Sequence, residues 1–146
     1  MRKKLFNDQR HSGNIGIGVL ATFLSLLIMG PILGAGWIIS GLFGGLIARG
    51  KGRGLAAGLI GGLILSIALI ELSYYILPST ITTITSYTGN FYIAHEIVNV
   101  YYQTRASIRG ADPLHSIIAI IVEGTAVPAI GGLIGGAIIP DETELD

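Results

Sequence analysis

Two glutamates stand where carboxylates are costly. Glu71 and Glu123 each sit inside an apolar run that is otherwise free of Asp, Glu, Lys and Arg. An ionisable side chain at membrane depth marks an ion or proton path by default. Glu123 follows Pro113 by ten residues, roughly 15 Å along a helix and near the midplane of a bilayer core about 30 Å thick. Glu71 precedes Leu77 by six residues, roughly 9 Å from the opposite end of its own helix. Gly124 and Pro128 follow Glu123 closely. A helix opened there would set freed carbonyls beside a carboxyl, an arrangement that coordinates cations in transporters. The plainer alternative is a carboxylic acid hydrogen-bonded within a small bundle, with Tyr74 or Tyr75 serving Glu71 and Pro128 only kinking a packed helix.

Other chemistry fails on spacing or context. Gly45-Leu-Ile-Ala-Arg-Gly50-Lys51-Gly52 nearly spells a phosphate-binding loop. It lacks the Ser or Thr that ligates magnesium, and an apolar helix stands where the strand belongs. Gly16-Ile-Gly-Val-Leu-Ala21 matches a dinucleotide fingerprint only as a string. His95-Glu96 begins like a zinc-protease motif, but the fifth position is Asn99. The three histidines are scattered and show no metal-ligand spacing. The expectation is no catalytic residue, no metal and no cofactor.

The elements that must position the two acids are apolar helices. Of 146 residues, 51% are hydrophobic and 12% charged, and 22 are glycine. That charge fraction is about half the usual soluble value, and the mean hydropathy is +0.69. So few charges could not coat a water-facing surface. With no cysteine and a formal net charge of zero, disulfides and thiolate chemistry are excluded, and no basic excess points to nucleic acid.

No charged residue separates Arg10 from Arg49, a stretch too long for one span. It divides at Gly30-Pro31, because Gly ends helices and Pro starts them. This predicts two short helices, 12–29 and 31–48, in a tight hairpin. A signal peptide, with Met1-Arg-Lys-Lys4 as its basic head and Gly34-Ala35-Gly36 as its cleavage site, is the competing reading. Apolar sequence continuing past that site argues against it. Arg49-Gly-Lys-Gly-Arg-Gly54 reads as a basic connection, and a third helix runs 55–77 to Pro78. Asp112-Pro113 pairs an N-cap carboxylate with a first-turn proline, opening a fourth helix over 113–139. The tail from Asp141 is acidic.

Seven of the nine Lys and Arg precede the first helix or lie between the second and third. The positive-inside rule puts both termini in the cytoplasm and the connection 78–112 outside. Within that connection, Ser79 to Asn90 reads as extended or irregular, being rich in Thr, Ser and β-branched residues. Phe91 to Arg109 reads as helix. His95, Glu96, Asn99, Gln103 and Ser107 share one arc; Phe91, Ala94, Val98, Tyr101, Tyr102 and Ile108 share the other. Such a helix either lies on the membrane surface or caps the bundle.

Glycine supplies the packing pattern. Gly54, Gly58 and Gly62 form a stripe four residues apart; Gly41 and Gly45 repeat it, as do Gly131/Gly135 and Gly132/Gly136. Small residues at this spacing let membrane helices approach closely. Pro31-Ile-Leu-Gly-Ala-Gly36, Gly41-Leu-Phe-Gly-Gly-Leu-Ile-Ala-Arg-Gly50, Gly54-Leu-Ala-Ala-Gly-Leu-Ile-Gly-Gly62 and Gly131-Gly-Leu-Ile-Gly-Gly136 together resemble a family of small glycine-rich archaeal integral membrane proteins of unknown function. The resemblance covers roughly residues 15–70 and 124–139. It implies about four membrane helices and supplies no activity.

The sequence therefore predicts a single all-α domain over 1–146, a polytopic helical protein of the cell membrane with about four spans and an external amphipathic helix. Its partners would be the lipid bilayer and either further copies or the subunits of a small membrane complex. Its role would be non-enzymatic, with packing and oligomerisation through Gly-x-x-x-Gly faces. The alternative is a small ion channel or proton/cation-coupled transporter using Glu71 and Glu123.

Overall fold

The computed structural model of the chain describes residues 13–30, 35–88 and 92–139. Among them run α1 (Ile15–Met29), α2 (Ala35–Ala48), α3 (Lys51–Tyr75), α4 (Pro78–Thr88), α5 (Tyr92–Ile108) and α6 (Pro113–Ile138), with no strand. α3 and α6 are long and apolar enough to cross a membrane, whereas α1 and α2 are apolar but shorter. The proposed starts at Ser12 and Pro31, the four cations from Arg2 to Arg10, and the acidic tail lie outside the described residues.

Glycine decides which helices touch. α2 buries only Gly36, Ser40, Gly41, Gly44, Gly45 and Ala48. On α6 the buried residues are Gly124, Pro128, Ala129, Gly131, Gly132, Gly135 and Gly136. With side chains this small, backbone meets backbone. A Cβ added at Gly62, Gly58 or Gly54 of α3 would overlap the carbonyl oxygens of Gly124, Pro128 or Gly132 on α6. From α2, Gly41 and Gly45 meet the same Pro128 and Gly132 oxygens. The contact is reciprocal. Gly131 and Gly135 press on the Ile38 and Leu42 carbonyls of α2, and Gly132 and Gly136 press on those of Gly54 and Gly50. All nine glycines of the predicted packing stripes thus meet backbone of this same chain.

The pairings fix direction. Along α3, rising residue number meets falling number on α6, so those two are antiparallel; α2 runs parallel to α6. α1 joins through other faces, with Gly18 against Gly44, Ala48 and Ala57, and Thr22 against Gly44 and Gly61. The four helices alternate in direction along the chain. Buried hydroxyls are satisfied locally: Thr22, Ser40, Ser66 and Ser73 donate to the carbonyls of Gly18, Gly36, Gly62 and Leu69. They fill small spaces without needing water.

Three expectations are corrected. The basic connection is shorter than 49–54, because Arg49 (φ 51°) and Gly50 (φ 83°) alone turn the chain and α3 starts at Lys51. A left-handed pair reverses direction in two residues, and glycine favours it. The stretch from Ser79 to Thr88 is helical where extended or irregular chain was expected. Pro78 occupies its first turn, and Thr82, Thr83 and Ser86 fold their hydroxyls back onto the carbonyls of Pro78, Ser79 and Thr83. Those bonds offset the β-branched cost. Finally, α6 runs unbroken through Pro128. The proline leaves the Gly124 carbonyl without its usual donor, and that oxygen lies against Gly62.

The close approach predicts opposite effects from one substitution at two glycines of α3. Gly58→Ala should lower stability by about 1–3 kcal/mol, since its methyl meets α6 backbone. Gly52→Ala, with nothing within 4 Å, should raise it by about 0.5–1 kcal/mol. Thermal unfolding in mild detergent, followed by helical circular dichroism, reads both.

Candidate functional site

α3 ends at Tyr75, and the carbonyls of its last turn need donors. α5 supplies them. The Arg105 guanidinium donates through Nη1 to the Ser73 and Ile76 carbonyls at 2.7 and 2.9 Å. The Tyr101 hydroxyl donates to the Ile76 carbonyl at 2.6 Å and accepts from Arg105 at 3.0 Å. A cation at a helix C-terminus is also favoured by the helix dipole. Tyr101, only 1% exposed, Thr104 and Ile108 are buried by this docking, while Tyr102 stays exposed. The α5 face therefore differs from the predicted arc in including Thr104 and leaving out Tyr102.

Docked in this way, α5 roofs the end of the bundle where α1 finishes and α2 begins. There Trp37 donates its indole N–H to the Gly30 carbonyl at 3.0 Å, which fixes the ring. Two cavities flank it, both also bounded by Leu69 and Val100. The smaller, about 110 Å³, is lined only by apolar side chains and Gly30. The larger, about 720 Å³, is bounded by Trp37, Ile38, Leu69, Val100, Gln103, Thr104, Ile120, Glu123, Gly124 and Val127. It opens to the surface, and among the described residues Glu123 is its one ionisable wall residue.

The structure separates the two predicted acids. Both are exposed, but Glu123 lines the larger cavity and Glu71 does not. Glu71 lies exposed on α3, half a helical turn from Gly62 at 100° per residue. Tyr74 and Tyr75 are exposed, and neither bonds to Glu71 among the described residues. No hydrogen bond or ion pair engages Glu123 among the described residues either. Ser66, buried one turn beyond Gly62, reaches toward α6 as well, its hydroxyl 3.4 Å from the Ile120 carbonyl. No group of three His, Cys, Asp or Glu is placed to hold a metal ion among the described residues.

Arg105 and Trp37 are the positioning residues that sequence reasoning passed over. Arg105 was readable only as an external cation. The available signal was Tyr101 four residues before it, on the same helical face. Trp37 is the chain's only tryptophan. The sequence matches no protein-family model, and neither the curated proteins nor the solved structures contain a significant match.

The roof predicts a graded loss. Arg105→Leu strips donors from two carbonyls and the Tyr101 hydroxyl, and should cost about 2 kcal/mol; Tyr101→Phe should cost about 1 kcal/mol. Detergent unfolding midpoints of the two variants and the parent protein check the order.

Proposed function

We propose that this chain is a four-span integral membrane protein with α1, α2, α3 and α6 as its spans, and that its role is non-catalytic. One observation carries the reading: the distribution of side-chain size is inverted relative to a water-soluble bundle. Within α1, α2, α3 and α6 the buried residues are glycine, alanine, serine and threonine apart from Leu26, Leu65 and Pro128, while Leu20, Leu24, Phe43, Ile64, Ile67, Ile130 and Ile134 face outward. Water would penalise such a surface, and no hydrophobic force favours glycine inside. Lipid reverses both terms, because large apolar side chains solvate well in acyl chains and small ones allow close helix contact.

In this reading the Arg49–Gly50 turn and both termini are cytoplasmic, by the cation distribution, and the α5 roof is external. α1 and α2, at 15 and 14 residues, give about 22 Å of helix each. That is short for a core of about 30 Å, so the bilayer thins around them. The glycine stripes are occupied within the chain, so self-association, or assembly into a small membrane complex, uses the outer Leu and Ile faces. The resemblance to glycine-rich archaeal membrane proteins is consistent with this and adds no activity.

Glu123 favours a second reading, a small channel or proton/cation-coupled transporter. Glu123, itself exposed, lines the open cavity beside Trp37, and an acid at membrane depth is by default a candidate for handling ions. Glu71 has no comparable setting.

Nitroxides on single cysteines at Leu24, Phe43, Ile64 and Ile134 test the first reading. Each should be accessible to oxygen and shielded from a water-soluble nickel complex in liposomes; strong nickel accessibility at all four would reject the spans. For the second reading, proteoliposomes should show proton or cation flux that Glu123→Gln abolishes. Wild-type protein without flux, or a variant that retains it, would reject that reading.

A further inference from the structure

We infer that the larger cavity is a binding site for a monovalent organic ammonium with an apolar body. The inference deepens the ion-handling reading by naming a ligand class. It needs only the cavity and Glu123, and it does not require transport.

The cavity's size suits a small organic ligand: about 720 Å³, within the roughly 300–1,000 Å³ typical of such sites. Its walls are mainly aliphatic and aromatic, from Ile38, Leu69, Ile120 and Trp37. An apolar body fits there. The charge is equally specific. Glu123 brings one carboxyl, and among the described residues neither Lys, Arg nor His lines the cavity. The neighbouring Arg105 points its guanidinium at the end of α3 instead. A cationic ligand would bring the charge that complements Glu123.

An inorganic cation fits poorly. Calcium takes six to eight oxygens, and magnesium demands a near-octahedral set. One carboxyl, the Gln103 amide and the Thr104 hydroxyl supply too few. A single ammonium needs less: one counter-charge, one or two acceptors and a π face. Trp37 lines the cavity, held by its bond to Gly30, and cations bind tryptophan better than other rings. Free amines and ammonium lipid headgroups share this chemistry.

Trp37 also makes the test direct, since the only indole in the chain lines the site. The full-length protein in mild detergent is titrated with phenethyltrimethylammonium, or with its uncharged isostere carrying a quaternary carbon in place of nitrogen. Tryptophan fluorescence should change saturably with the ammonium, which should bind at least about tenfold tighter than the isostere. Glu123→Gln should weaken the ammonium by a similar factor and leave the isostere unchanged, showing that the cavity survives. Equal binding of the two probes, an unchanged ammonium affinity in Glu123→Gln, or no saturable response would overturn the inference. Nanodiscs distinguish the sources. Competition in phosphatidylethanolamine but not phosphatidylglycerol assigns the site to a lipid headgroup, and equal binding in both assigns it to a free amine. Binding without flux would remove the transport reading and leave the site standing.

Discussion

The carbonyl oxygens of Gly124, Pro128 and Gly132 lie one turn apart on α6, and each abuts a glycine of α3; the last two also abut Gly41 and Gly45 of α2. A carbonyl directed at a glycine Cα–H makes a weak hydrogen bond, worth about 0.5–1 kcal/mol in condensed phase. The larger effect is dispersion between backbones brought nearer than any side chain would allow. Pro128 belongs to this arrangement. It frees the Gly124 oxygen without breaking the helix, and Gly62 lies against that oxygen.

Everything above this seam follows from its position. α6 is held against α2 and α3 along its glycine-rich C-terminal half. Toward its N-terminal half, Trp37, Ile120 and Leu69 are too large for backbone contact, so the helices leave the space that becomes the cavity. α5 closes that end because α3 stops there with bare carbonyls, and Arg105 and Tyr101 satisfy them. Glu123 thus faces the cavity because it lies one residue before the first glycine of the seam. Rigid packing at one end and a partly polar cavity at the other come from the same gradient in residue size.

Much of this was legible in the chain itself. Residues four apart share a helical face, so the Gly54, Gly58, Gly62 stripe announced a backbone contact. Asp112-Pro113 announced the start of α6, and its side chain does accept from the His115 N–H. What the spacing could not give was the partner: a glycine stripe specifies closeness without saying which helix fills it. The α4 segment was misread because β-branched residues were weighed without the hydroxyl back-bonds that Thr82, Thr83 and Ser86 make. Arg105 was invisible as a cap because its acceptors, Ser73 and Ile76, lie 32 and 29 residues away. The separation of Glu71 from Glu123 had the same origin, since helix rotation is set by the glycine seam and not by the acids.

The account rests on α3 and α6 of one chain meeting backbone to backbone. Solid-state carbon-13 correlation spectra of the protein in lipid test this directly at Gly58 and Ala129, since a Cβ built on Gly58 would come within 2.9 Å of the Ala129 α carbon. Labelled chains are diluted into an excess of unlabelled ones. The account predicts a strong Gly58–Ala129 cross-peak whose intensity per labelled chain survives dilution. A peak that fades in proportion to the dilution would place the glycine seam between separate chains, and its absence at every dilution would contradict the seam itself.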